Sequence, residues 1–80
     1  MWILEYRQEA SNYAIDSHPY NEAVLMAIET LAQTTTGLPE EGCQPLEPNL
    51  YWWQVHEHHV LFRRFPTEQR LVIVLIKPFA

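Results

Sequence analysis

From Trp2 to Arg7 the chain alternates, with Trp2, Leu4 and Tyr6 on one side and Ile3, Glu5 and Arg7 on the other. A period of two places one face in a core and the other in water, so the spacing predicts a first strand. Residues 8–19 are polar and mixed, with Ala10, Tyr13 and Ile15 as anchors. Pro19 disfavours helix at His18 and permits one to begin at the proline itself, so a short helical turn or loop is expected before it. From Tyr20 onward Val24, Ala27, Ile28 and Leu31 recur at helical spacing, and the stripe stops at Ala32. That predicts the main helix. Thr34-Thr35-Thr36-Gly37 ends it, because threonine lowers helix propensity and glycine can turn left-handed past a helix end.

Residues 37–49 hold Pro39, Pro45, Pro48 and both glycines, a composition expected to form a loop, pinned to the core by Leu38 and Leu46. Alternation returns in the aromatic stretch Tyr51 to Val55, and again from His59 to Phe65 after the polar His56-Glu57-His58. Two strands joined by a tight hairpin follow from this. Pro66-Thr67-Glu68-Gln69 suits a reverse turn, and Leu71 to Ile76 is a last strand that Pro78 stops. Both faces of that strand are apolar, so it is central in the sheet or its second face meets a partner. The fold class predicted is α+β in two layers. A small antiparallel sheet, made of the N-terminal strand plus a C-terminal three-strand meander, packs on one main helix in a single domain over residues 1–80.

Composition sharpens this picture at three points. Apolar residues make up 48% of the 80, and aromatics 12%, enough for a two-layer core and too many for a disordered chain. Cys43 is the only cysteine, so no internal disulfide can form, and its simplest role is that of a half-buried small hydrophobe. The longest wholly apolar run, Leu71 to Ile76, is far short of the roughly 20 residues that span a bilayer, and no basic-then-apolar leader opens the chain. A soluble cytoplasmic protein with no membrane partner is expected. The net charge of −5 is unevenly spread. Residues 1–49 carry Arg7 against eight acids, whereas residues 50–80 carry Arg63, Arg64, Arg70 and Lys77 against Glu57 and Glu68. The predicted meander is the basic part.

The order of strand, helical segment, proline-rich loop and three-strand meander resembles the RelE/ParE superfamily of toxins from bacterial toxin-antitoxin pairs. Most specific are Leu46-Glu47-Pro48-Asn49-Leu50-Tyr51-Trp52-Trp53-Gln54-Val55, similar to the family's entry into the sheet, then His59-Val60-Leu61-Phe62-Arg63 and Val72 to Lys77, similar to its last two strands. The resemblance implies a sheet backed by helices and a cognate antitoxin that wraps the toxin. In the RelE branch it implies ribosome-dependent cleavage of messenger RNA, in the ParE branch inhibition of gyrase. It also implies cations in the second strand, where this chain has Tyr51-Trp52-Trp53-Gln54-Val55, and an arginine in the third strand at the place of His59.

Cleavage of RNA through its 2'-hydroxyl needs a general base, a general acid and cations that hold the phosphate as charge builds on it. His59 and Arg63 lie an even number of residues apart, so they share a face with Leu61 and Phe65. With Lys77 as a supporting cation they form the candidate catalytic set, and no cofactor is called for. Arg64, Arg70 and Trp52 are the candidate RNA-binding residues, an exposed tryptophan beside arginines being able to stack on an unpaired base. Trp52 and Trp53 point to opposite faces, so one enters the core and the other is exposed or covered by a partner. His56-Glu57-His58-His59 could hold zinc, copper or nickel through imidazole, but one hairpin supplies an incomplete shell, and no functional metal site is expected. The competing function is a non-catalytic module on the same scaffold, self-associating or capturing a partner chain through the apolar second face of the sheet.

Overall fold

The computed structural model describes residues 1–79. Strand β1 (Ile3–Tyr6) leads into helix α1 (Gln8–Asp16), and helix α2 (Glu22–Ala32) follows after a short turn. Then come β2 (Cys43–Glu47), β3 (Leu50–Val55), β4 (His58–Phe65), a single 3-10 turn at Pro66–Glu68, and β5 (Arg70–Pro78). All five strands form one sheet in the order β1-β5-β4-β3-β2. The predicted α+β class and the C-terminal meander are both present. No helix among the described residues is long and apolar enough to cross a membrane.

Three elements depart from the expectation drawn from the sequence. Residues 8–16 form a full helix where a turn or loop was predicted. Ala10 is completely buried under it and Tyr13 packs against the core, so two anchors three residues apart suffice for a helix of two and a half turns. Asn21, itself fully buried, donates its side-chain amide to the carbonyls of Tyr13 (2.8 Å) and Ala14 (3.3 Å) and so closes the end of α1. Residues 43–47, predicted as loop, are the edge strand β2. Pro45 is tolerated there because β2 pairs only with β3, and the register slips between Pro45 and Glu47. The third departure is the direction of β1, which runs parallel to β5, Ile3 opposite Arg70 and Tyr6 opposite Ile73. The sheet is therefore mixed.

The remaining strands are antiparallel. His56 and Glu57 both have positive φ (49° and 61°), as a two-residue hairpin turn requires between right-twisted strands, and Asn49 (φ 66°) serves the β2–β3 turn. Strand β5 lies between β1 and β4, which accounts for its apolar character on both faces: Leu71, Val72, Ile73 and Ile76 are all buried. The core is one cluster between the helices and one face of the sheet, built from Trp2, Ala10, Val24, Ile28, Leu31, Trp53, Val60, Phe62, Leu71, Ile73 and Ile76. The loop after α2 is drawn onto it by Trp2. Its indole donates to the carbonyl of Thr35 (3.3 Å), and Gly37, with φ +66°, lies so close that a Cβ would sit 2.7 Å from the ring.

Candidate functional site

Helices cover one face of the sheet, and the strand register decides which side chains stand on the other. Val55, Trp53 and Tyr51 pair with His58, Val60 and Phe62 on the helix side, so Gln54, Trp52 and Leu50 pair with His59, Leu61 and Arg63 on the open side. From β5, Lys77 is opposite His59, Leu75 opposite Leu61, Val72 opposite Arg63 and Arg70 opposite Phe65. The open face thus consists of rows: Gln54, His59 and Lys77; then Trp52, Leu61 and Leu75; then Leu50, Arg63 and Val72.

His59 and Lys77 are direct neighbours in this arrangement. The His59 ring stacks on Trp52, with centroids 4.9 Å apart and an interplanar angle of 23°, and meets Phe79 on another side at 4.6 Å. Its Nδ1 is sealed from solvent and has no hydrogen-bond partner among the described residues. The tryptophan question is settled by burial: Trp53 is 7% exposed and belongs to the core, and Trp52 stands on the open face. Phe79 was not foreseen. It lies two residues beyond Lys77 and is 54% exposed, and that even spacing is the one sequence signal that could have placed it beside His59.

Arg63 shares the face with His59 but stands four residues further along β4, roughly 13 Å at 3.3 Å per residue. The two cannot grip one phosphate, though they can meet successive phosphates of an extended strand. Arg63 pairs with Glu47 at 3.6 Å, an exposed contact worth less than about 1 kcal/mol and open to displacement by an anion. Arg70 lies further still toward that end, bound by Glu5 (3.1 Å) and Glu68 (3.5 Å), with its guanidinium 4.4 Å from the centre of the Phe65 ring. Arg64 is not on this surface. It points to the helix side, donates to the carbonyl of Thr36 (2.7 Å) and lies over Trp2 and Tyr51 at 5.1 and 5.9 Å, so it clasps the loop after α2.

The hairpin histidines are dispersed in the same way. His56 is exposed in the turn, whereas His58, 4% exposed, is bonded through Nε2 to the Tyr13 hydroxyl (2.6 Å) and through Nδ1 to the His56 carbonyl (2.7 Å). The carbonyl can only accept, so Nδ1 carries a proton and donates it; in the neutral ring Nε2 accepts from the phenol. On the open face His59 is the one histidine a ligand could meet, and among the described residues no three His, Cys, Asp or Glu side chains converge on a point. Burial pushes the Cys43 thiol above its ordinary pKa, with Arg64 acting weakly the other way, so the cysteine is a protonated packing residue. The open face can therefore stack a flat ring on the Trp52–His59–Phe79 series and attract anions at Lys77, Arg63 and Arg70.

No protein-family model matches the chain, and no curated protein sequence matches it. Solved structures do. The isolated RelE toxin of E. coli superposes with a TM-score of 0.78 at 6% identity, over 100% of this chain and 86% of the toxin. The E. coli RelBE toxin-antitoxin complex gives 0.76 at 6% identity, over 98% of this chain and 96% of the matched one. The resemblance read from the sequence is borne out as architecture, and across its whole length the chain has the fold of the RelE toxin.

Proposed function

We propose that the chain is the toxin component of a toxin-antitoxin pair, acting on messenger RNA through the open face of its sheet. The observation that carries this reading is the match of the whole chain to the RelE fold, at TM-score 0.78, with His59 and Lys77 adjacent on the exposed face. His59 is the group suited to exchanging a proton with a 2'-hydroxyl or a leaving oxygen. Lys77 would hold the phosphate as charge grows on it, Trp52 and Phe79 would stack on flanking bases, and Arg63 would guide a neighbouring phosphate. General acid-base assistance of this kind is worth about 10²–10⁴-fold in rate. The cognate partner is an antitoxin, in keeping with the complex in which the second matched structure was determined.

Induced expression in a bacterial host tests this directly, with growth and the fragmentation of a reporter messenger RNA as readouts. The wild-type chain is expected to arrest growth and cut the message. The His59→Ala/Arg63→Ala double variant, still folded by circular dichroism, is expected to do neither. Undiminished toxicity in that variant would remove both residues from the assignment, and a harmless wild type would leave the second reading. That reading is a partner-binding or self-associating module, favoured by the half-exposed row of Trp52, Leu61 and Leu75 that no element among the described residues covers.

A further inference from the structure

A large hollow lies away from the sheet's open face. It is a groove of about 880 Å³ on the helix layer, between the outer side of α2 and the end of β3. Ala23, Ala27 and Leu31 form one wall, Trp53 and Val55 the floor, and Leu38 the far side. Ala23 to Leu31 run for about 12 Å along the helix axis, the length of a little over two helical turns. A second hollow of about 400 Å³, reaching Trp2, Leu4 and Glu29, adjoins it across a ridge made by Met26 and Thr30. Met26 is 59% exposed on that ridge, a large apolar side chain that the described residues leave mostly uncovered.

Charge decides what fits. Glu40 and Glu41 form one lip of the groove and Glu29 borders the adjoining hollow, and among the described residues none of the three forms an ion pair. No lysine or arginine lines either hollow. Residues 1–49, which supply α2 and this lip, contain a single base, Arg7, against eight acids. An apolar floor with Glu40 and Glu41 on its lip, and with Gln54 and His56 also lining it, favours a basic segment over an acidic one, over the approach as well as in the bound state.

We infer that this groove is the seat of a basic amphipathic segment of a partner chain, apolar on the side that enters and carrying lysine or arginine where it passes Glu40, Glu41 and Glu29. Apolar anchors at i, i+3 or i+4, and i+7 would match the length of the wall. The groove is on the opposite layer from His59 and Lys77, so its occupancy does not depend on what the sheet face does. If the partner is the antitoxin of the toxin reading, its docking segment is cationic.

The test uses the full-length, isotope-labelled chain and two short helical peptides, one of leucine and lysine and one with glutamate in place of lysine. The lysine peptide is expected to shift the amide resonances of Ala23, Ala27, Leu31 and Val55 and to bind at least tenfold tighter than the glutamate peptide. Ala23→Trp, at an exposed position of the wall, fills the groove and is expected to weaken binding tenfold or more, with unchanged sheet resonances reporting an intact fold; Thr30→Trp serves as a second blocking variant. Glu40→Lys/Glu41→Lys is expected to reverse the preference between the peptides. Shifts that map elsewhere, or binding that both blocking variants leave intact, would overturn the proposal. So would groove shifts that grow with protein concentration alone, because the occupant would then be a second copy of this chain.

Discussion

Trp52 and Trp53 are adjacent in sequence and opposite in energetic role. Trp53 is buried against Phe62 in the core, where its ring meets the phenylalanine edge-on at 6.1 Å, and Trp52 lies against His59 on the open face. Truncation of a core tryptophan to alanine costs about 3–5 kcal/mol, through lost burial and the cavity left behind. Surface truncations cost about 0.5 kcal/mol or little more. Urea unfolding of Trp53→Ala and Trp52→Ala should therefore give midpoints far apart, the second near wild type. Equal losses would mean that Trp52 too holds the fold together. Alternation showed in advance that one of the pair faces the core, because two neighbours in a strand cannot share a side. It could not say which. The answer depends on pairing with Val60 and Phe62, and that register belongs to two strands at once.

Helix α1 shows at the next scale why part of the fold was hidden. Its stability does not come from a long apolar stripe but from single contacts to distant elements. The hydrogen bond from Tyr13 to His58 spans 45 positions, and Asn21 closes the last turn from outside. Neither contact has a periodic trace in the sequence. The same holds for β2, whose five residues contain a proline and are almost wholly exposed, so that pairing with β3 alone makes it a strand. Helix α2 and the meander, by contrast, carry their stripes in their own residues. Tyr13→Phe keeps the ring and deletes the bond, leaving a buried imidazole nitrogen unpaired at a cost of about 1–3 kcal/mol. Hydrogen exchange should register this as lost protection in residues 8–16, with protection retained in β4 and β5. A uniform loss across the molecule would show that α1 does not open separately.

Taken whole, the molecule is unevenly charged: an acidic helix layer backs a sheet whose open face carries Lys77 together with Arg63 and Arg70, the two arginines paired with Glu47, Glu5 and Glu68. The charge count alone located the basic part, and the strand pattern placed His59 and Arg63 on one side. Spacing within the predicted strand already implied the separation of His59 from Arg63 and the place of Arg64 on the other face; what neither could supply were the glutamates that pair with Arg63 and Arg70. If RNA binds as proposed and displaces the paired glutamates, three cations would contact it, and the binding constant should fall with salt at a logarithmic slope near −2, from about −0.7 per phosphate on a single strand. Fluorescence anisotropy of a labelled single-stranded RNA across a salt series measures this. A slope near zero would take all three cations out of the contact.

The parallel pairing of β1 with β5 has a bearing on how such a protein is made. Arg70 reaches back 65 positions to Glu5, and β5 is the strand that pairs β1 and joins it to the β2–β3–β4 hairpins. A chain still being synthesised has nothing for β1 to pair with until β5 emerges, and closure between distant segments is the slow kind of folding step. Through most of synthesis the core of Trp2, Val60 and Phe62 therefore has no lid, and the nascent chain resembles a handful of apolar strands more than a domain. His59 and Lys77 become neighbours only when that last strand docks. An unfinished copy would accordingly lack the paired surface on which its activity is proposed to rest, and the cell would meet the finished face only after translation of the chain had passed its seventies.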